Sequence, residues 1–229
     1  MYIVRSMDRI AIYGAGALAK QIINYNLRYN MFEVVALIDD NAQENQTFMG
    51  YDVLPFDRFS IEWPMVAMGG VVKVTVSIGY VKCNSYRKTA VEKVVTAGYP
   101  LYNFIAPGAN VWPGSIKEDD NILVFDNAFV GVGCHLERGV IISEGTVLSH
   151  DITVGEYTFM SDGVVVGGHC HIGQHSFVGL NSTIKSNTTL GKYNIVGCAA
   201  NVLKDTPDYS VVKGNPGIVE QKDTLNVEI

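Results

Sequence analysis

A chain of 229 residues has room for one large domain or two small ones. With 48% hydrophobic and 17% charged residues it reads as globular, and no apolar run approaches the roughly 18–20 residues needed to span a bilayer. A net charge of −6 argues against nucleic acid as a partner, since such binders need a basic stripe. The opening MYIVRSMDRIAIYG lacks the apolar core and small-residue cleavage site of a signal peptide, so the four cysteines are expected to be cytoplasmic thiols.

Residues 9–16, RIAIYGAG, read as a buried strand running into a glycine-rich turn. A helix follows from about Ala17 to Tyr29, then a second strand, Glu33–Ile38, ending in Asp39-Asp40. Gly14-x-Gly16-x-x-Ala19, with an acidic residue some twenty positions on, matches a dinucleotide-type fingerprint. The glycines permit a tight turn and close backbone approach, and the acid can accept a hydrogen bond from a ribose hydroxyl. The same spacing also occurs in purely structural turns. A third strand, Val74–Ile78, leads through Gly79-Tyr80 into a helix from about Ser85 to Ala97, ended by Gly98. At about 100 residues the unit is too short for the two-halved sheet that grips a full dinucleotide. It fits the nucleotide end of a nucleotide-linked sugar.

From Val124 a fixed period takes over. Stepping by six meets an aliphatic residue or methionine fourteen times in succession, ending at Val202. Glycine follows at 131, 155, 167, 173, 179, 191 and 197, and a small or β-branched residue lies four positions on, as at Ala128, Cys134 and Thr146. Helical and simple strand periods both drift against a step of six. Flat six-residue faces joined by glycine-assisted corners do not. Ile105 and Val111 keep the period but are one residue out of phase, which places an irregular first coil around Lys117–Asn121. The pattern resembles the hexapeptide-repeat acyltransferases, left-handed parallel β-helices in which three hexads make one triangular coil. The expected fold is therefore an α/β Rossmann-like domain, residues 1–104, followed by an all-β left-handed parallel β-helix with a C-terminal tail, residues 105–229.

The outward position before each aliphatic sorts by face. Face one carries Phe129, Val147, Val165, Thr183 and Asn201; face two carries His135, Thr153, His171 and Thr189; face three carries Ile141, Phe159, Phe177 and Ile195. Face two should meet water. Face three is apolar throughout and face one nearly so in its early coils, and exposed apolar ladders usually mark an interface. Packing of these two faces around a threefold axis, as in the resembled family, is the expectation; cover by other parts of the chain is the alternative.

Over essentially the whole chain the order of parts resembles the bacterial sugar acyltransferases, including the bacillosamine-pathway UDP-amino-sugar N-acetyltransferase and the sialic acid O-acetyltransferases. The stretches that carry the resemblance are IAIYGAGALAKQI, ALIDD, VSIGY, TVLSHDITVGEYTFMS and GLNSTI, with Gly214-Asn215-Pro216 near the C-terminus. The resemblance implies acetyl-CoA-dependent transfer to an amine or hydroxyl of a nucleotide-linked sugar, by a homotrimer with no membrane insertion. It implies that Gly14, Gly16, Asp39, Asp40 and Gly79 bind the acceptor, and that coenzyme A runs along the β-helix past Phe159, Gly168, Gly214 and Pro216. It makes His150 the general base, with Asp151 beside it, and the Gly168 N–H a donor to the thioester oxygen. Two departures are the phenylalanine at 159, where the resembled enzyme has a histidine, and Gly217-Ile218, where its C-terminal motif has Ala and a basic residue.

Among five histidines, His135 and His171 fall on the polar face and His169 and His175 at corners, where a solvated or hydrogen-bonded imidazole is the default. A zinc site from His169, His171 and His175 would need three side chains to converge on one tetrahedron, but they belong to a corner, a face and another corner. No metal is expected. His150 lies in Ser-His-Asp at a corner between the apolar face one and the polar face two. Histidine's ordinary pKa of about 6.5 suits proton transfer near neutral pH. His150 and Gly168 are one 18-residue coil apart, hence on the same corner of successive rungs. Cys134 and Cys170 point inward two coils apart, about 10 Å, too far for a disulfide. An NAD-dependent oxidoreductase would leave the long β-helix without a task, and a non-catalytic trimeric scaffold is the remaining alternative.

Overall fold

The computed structural model describes residues 7–67 and 70–216; Gly217-Ile218 lies outside the described residues. The N-terminal part contains β1 (Arg9–Tyr13), α1 (Ala17–Tyr29), β2 (Glu33–Ile38), β3 (Thr47–Phe48), β4 (Tyr51–Leu54), α2 (Phe56–Glu62), β5 (Val66–Ala67), β6 (Gly70–Val76) and α3 (Ser85–Thr96). They form a sheet of order β3-β4-β2-β1-β6-β5. β1 lies parallel between β2 and β6, with Tyr13 opposite both Ile38 and Val76. Its residues alternate between two cores: Ile10 and Ile12 join α1, while Ala11 and Tyr13 join α2 and α3. The α1 helix buries Ala19, Ile22, Ile23 and Asn26, one stripe at helical spacing. Among the described residues no helix is long and apolar enough to cross a membrane.

The repeat forms three sheets of parallel two-residue strands, and between Leu123 and Val202 successive strands in each sheet are 18 residues apart, as in Val147–Leu148 on Val165–Val166. Ile105 instead pairs with Val124, 19 residues on, so the irregular first coil is real. Its Asn121 takes the place of a strand partner for β6: the Val76 N–H donates to Asn121 Oδ1 at 2.6 Å, and Asn121 Nδ2 returns a bond to the Val76 carbonyl at 3.1 Å. Each corner turns on a residue with positive φ, from Asn127 and Gly133 through Asp151, His169 and His175 to Ala199, always six apart. The glycines just after the aliphatics do something else. A Cβ on Gly173 would come within 2.5 Å of Gly191 C and Lys192 N, so these glycines admit the neighbouring coil's backbone.

Face three is not free. Ile141 and Phe159 are buried in one core with Ile10, Ile12, Ile22 and Phe104, and Phe177 packs against it. The N-terminal domain of the same chain covers this ladder, because its sheet and α1 need an apolar partner as much as face three does. Among the described residues face three keeps Ile195 and Val211 exposed at its C-terminal end, whereas face one keeps an open apolar ladder along its early coils, with Phe129 at 40%, Val147 at 37% and Val165 at 43% exposure. The expectation that face three forms the trimer contact is therefore corrected.

Candidate active site

The corner between faces one and two carries Ser149, His150 and Asp151 on one rung, and Gly167, Gly168 and His169 on the next. Adjacent side chains in extended chain point apart, but Asp151 has φ 53°. That left-handed turn brings its carboxylate back onto its neighbour, and His150 Nδ1 lies 2.9 Å from Asp151 Oδ2. An ionised carboxylate only accepts, so Nδ1 carries the hydrogen and Nε2 holds the free lone pair. The hydrogen bond from His150 holds the Asp151 carboxyl below the usual range, and the imidazole of His169 adds to the effect. The His150 ring sits against Gly168: a Cβ there would lie 2.5 Å from Nε2. The residue must be glycine for the imidazole to occupy this place. Among the described residues the Gly168 N–H has no acceptor, while its carbonyl receives the Asn187 N–H.

The second element is a cavity of about 630 Å³ between the N-terminal domain and the corner joining faces three and one. Gly14, Asp39 and Gly79 enter it from the carboxyl ends of β1, β2 and β6, the usual ligand edge of an open α/β sheet. Gly14 has φ +106°, and a Cβ on it would crowd Ser77 and Ile78 at 3.2–3.3 Å. Gly16 caps α1 without a side-chain bond, and the first turn of α1 holds no acid, so the helix N-terminus is open toward the cavity. The opposite wall is Glu144, Phe159, Asp162 and Phe177 of the β-helix. A smaller cavity of about 440 Å³ adjoins it through Gly14, Asp39 and Ile78.

The model for the PglD N-terminal domain matches residues 9–94. The acetyltransferase domain of PglB from Neisseria gonorrhoeae FA1090 superposes with TM-score 0.78 at 26% identity, over 91% of this chain and 97% of that one. Its complex with acetyl coenzyme A gives 0.80 at 25% identity, over 92% and 98%. Over most of its length the chain resembles the hexapeptide-repeat bacterial sugar acetyltransferases. PerB from Caulobacter crescentus, solved with CoA and GDP-perosamine, shares the fold at 24% identity and TM-score 0.69, over 93% of this chain and 97% of that one.

Set against the residues that the family resemblance singled out, the structure sorts them into two places. His150, Asp151 and Gly168 meet at one corner; Gly14, Gly16, Asp39 and Gly79 meet at the cavity, with Phe159 on the cavity wall and away from the His150 corner. Gly214 lies on the same edge as the cavity, packed against the Cys198 carbonyl so closely that a side chain would collide, and Pro216 follows it. Asp40 is occupied internally. It accepts from Tyr13 O–H at 2.5 Å, from Lys93 Nζ at 3.0 and 3.1 Å, and from the Phe56 N–H at 3.2 Å. Of the acidic pair, only Asp39 lines the larger cavity.

Three participants were missed. His169 packs edge-on to His150 with ring centroids 4.9 Å apart, and its Nδ1 lies 3.8 Å from Asp151 Oδ2. The three side chains place ligand atoms within 4.8 Å of one another, so they could share a cation as well as a proton. Glu144 and Asp162 are one coil apart, a spacing the repeat itself could have flagged. Burial, and then Asp162 and Asp126 nearby, push the Glu144 carboxyl up. Of the three histidines weighed as a zinc set, His175 is buried, its Nδ1 3.0 Å from the Cys83 carbonyl. Cys134 and Cys170 are buried free thiols.

Proposed function

We propose that the protein transfers the acetyl group of acetyl-CoA to an amino group of a nucleotide-linked sugar, with His150 as general base. The observation that carries this reading is the pairing of His150 Nε2 with the unbonded Gly168 N–H on successive rungs. A β-helix rung is about 4.8 Å, so a thioester carbonyl and an attacking nitrogen fit between the two groups. The nitrogen attacks the carbonyl carbon and forms the new C–N bond. The oxygen takes up negative charge facing the Gly168 N–H, a contact of a kind worth roughly 2.7–4 kcal/mol. His150 Nε2 removes the ammonium proton, and Asp151 stabilises the resulting imidazolium. Collapse of the adduct breaks the C–S bond, and the proton leaves with the coenzyme A thiolate. General-base assistance of this type contributes about 10²–10⁴-fold.

The two cavities suit the acceptor: Asp39 for a ribose hydroxyl, the glycine turn for close approach, and Glu144 with Asp162 as acceptors for the N–H groups of a neutral sugar amine, whose lone pair stays free to attack. That acidic pair favours an amine over a hydroxyl. The His150 corner and the larger cavity stand at opposite ends of face one. Six near-extended residues separate them, about 15–20 Å, so no single chain unites base and acceptor. Face one, the open apolar ladder, supports packing of three copies with the His150 corner of one beside the acceptor cavity of the next. Coenzyme A then lies in the groove between them, within reach of Gly168 on one side and Gly214 and Pro216 on the other. Purified protein incubated with acetyl-CoA and a panel of nucleotide-linked amino sugars should release free thiol and yield an acetylated sugar. Thiol release that never depends on a sugar acceptor would sink the reading.

A further inference from the structure

Arg87 is the largest fully buried side chain among the described residues. It stands on the first turn of α3, where Asn84 Nδ2 also bonds the Ser176 carbonyl of the β-helix at 3.2 Å. All its hydrogen-bond partners are peptide carbonyls. Nε donates to Gly139 O at 2.9 Å and Nη2 to Tyr157 O at 2.6 Å, both on β-helix corners. Nη1 donates to Ile78 O at 3.0 Å and Gly79 O at 3.1 Å, in the loop that lines the larger cavity. Among the described residues no carboxylate forms an ion pair with it. Burial lowers its pKa to about 9, which still leaves the guanidinium charged at neutral pH.

The peptides after Ile78 and Gly79 are trans, so each N–H points opposite to its carbonyl. With both carbonyls turned inward to Arg87, the N–H groups of Gly79 and Tyr80 are turned the other way, and among the described residues neither has an acceptor. A buried cation behind the loop polarises both amides, and bulk salt screens it little. Successive free N–H groups of this kind make an anion site, and the open N-terminus of α1 faces the same space. The cavity's acids, Asp39, Glu144 and Asp162, stand on its other walls. We propose that Arg87 is a positioning residue that holds the Gly79 and Tyr80 amides as the subsite for the phosphates of the acceptor. This rests on the nucleotide-sugar reading of the cavity.

The test compares uridine and guanosine with their diphosphates by calorimetry, in the wild type and in Arg87→Lys, which keeps the charge and loses the fork. The diphosphate's affinity should fall about tenfold, the scale of one charge-assisted hydrogen bond, while the nucleoside's stays unchanged. Equal losses for both, or no loss, would overturn the proposal. A second measurement does not depend on the variant folding: inorganic pyrophosphate added to the wild type should shift the amide resonances of Gly79 and Tyr80. A shift with pyrophosphate supports the subsite even where no nucleoside binds, a result that removes the nucleotide reading alone. Nucleoside binding with no pyrophosphate shift removes the subsite alone, and the absence of both removes the two together.

Discussion

His150 and Asp151 are sequence neighbours whose side chains meet at 2.9 Å, because Asp151 itself takes a left-handed conformation at the corner. This contact fixes which imidazole nitrogen is free, and it is the one against Gly168. His150→Asn should lower kcat by about 10²–10⁴-fold with the KM for acetyl-CoA nearly unchanged. Asp151→Asn should lower it less, since the base survives and only its orientation and charge support are lost. Steady-state kinetics on the acceptor checks both; wild-type kcat in His150→Asn would make that residue structural.

Val147 stands mid-ladder on the open face, and Phe177 under the N-terminal domain. Val147→Glu should therefore dissociate the assembly in sedimentation velocity runs. Phe177→Glu should leave the assembly intact and weaken the acceptor, because the ring lines the cavity beside Tyr80, with centroids 4.4 Å apart. The opposite pattern would return the interface to face three.

Asp39 and Asp40 should separate in the same way. Asp39→Asn should raise the acceptor KM by about 10–100-fold, from loss of a hydrogen bond to a charged group worth about 1.5–3 kcal/mol. Asp40→Asn should instead cost about 1 kcal/mol of stability, its ion pair with Lys93 being half exposed. Burial alone raises the Asp40 carboxyl, but the bonds from Tyr13 and Lys93 outweigh it and leave the pKa lowered. Its contribution is thus complete above the ordinary carboxylate pKa and is lost as pH falls through the depressed one. Denaturant midpoints from pH 6 to 3 should show a shallower decline in the variant.

His175 is buried between Tyr157 and Tyr193, with centroids 5.2 and 4.8 Å away. Burial lowers its pKa below 6.5, and the bond to Cys83 only partly offsets this. The unfolded chain then binds the proton more readily, so the stabilising contribution is full above pH 6.5 and erodes as pH falls toward the depressed value. His175→Phe should flatten the change in urea midpoint between pH 7.5 and 5.5. An unchanged slope would assign that pH dependence to other groups.

The solenoid was legible in the sequence because a period of six leaves one residue class at every buried position, from Val124 to Val202. The first two strands and α1 were legible for the same reason, through buried runs and a helical stripe. α2 and the short strands β3 to β5 were not, since two to seven residues carry too little pattern to separate from loops. Face three was misread because an apolar ladder looks the same whether a second subunit or the chain's own N-terminal domain covers it. Asp39 and Asp40 looked alike for a related reason. Their difference lies in Tyr13 and Lys93, distant in sequence and brought to Asp40 only by the fold.

The most direct test of a site shared between subunits is complementation. His150→Asn lacks the base, and Asp39→Asn, assayed well below its acceptor KM, lacks acceptor binding. Mixed assemblies of the two variants, formed by co-expression, contain corners with intact His150 beside cavities with intact Asp39. Acetyl transfer to the nucleotide-linked sugar should return to a substantial fraction of the wild-type rate, above the sum of the two variants alone. Mixed assemblies no more active than that sum would contradict the shared site.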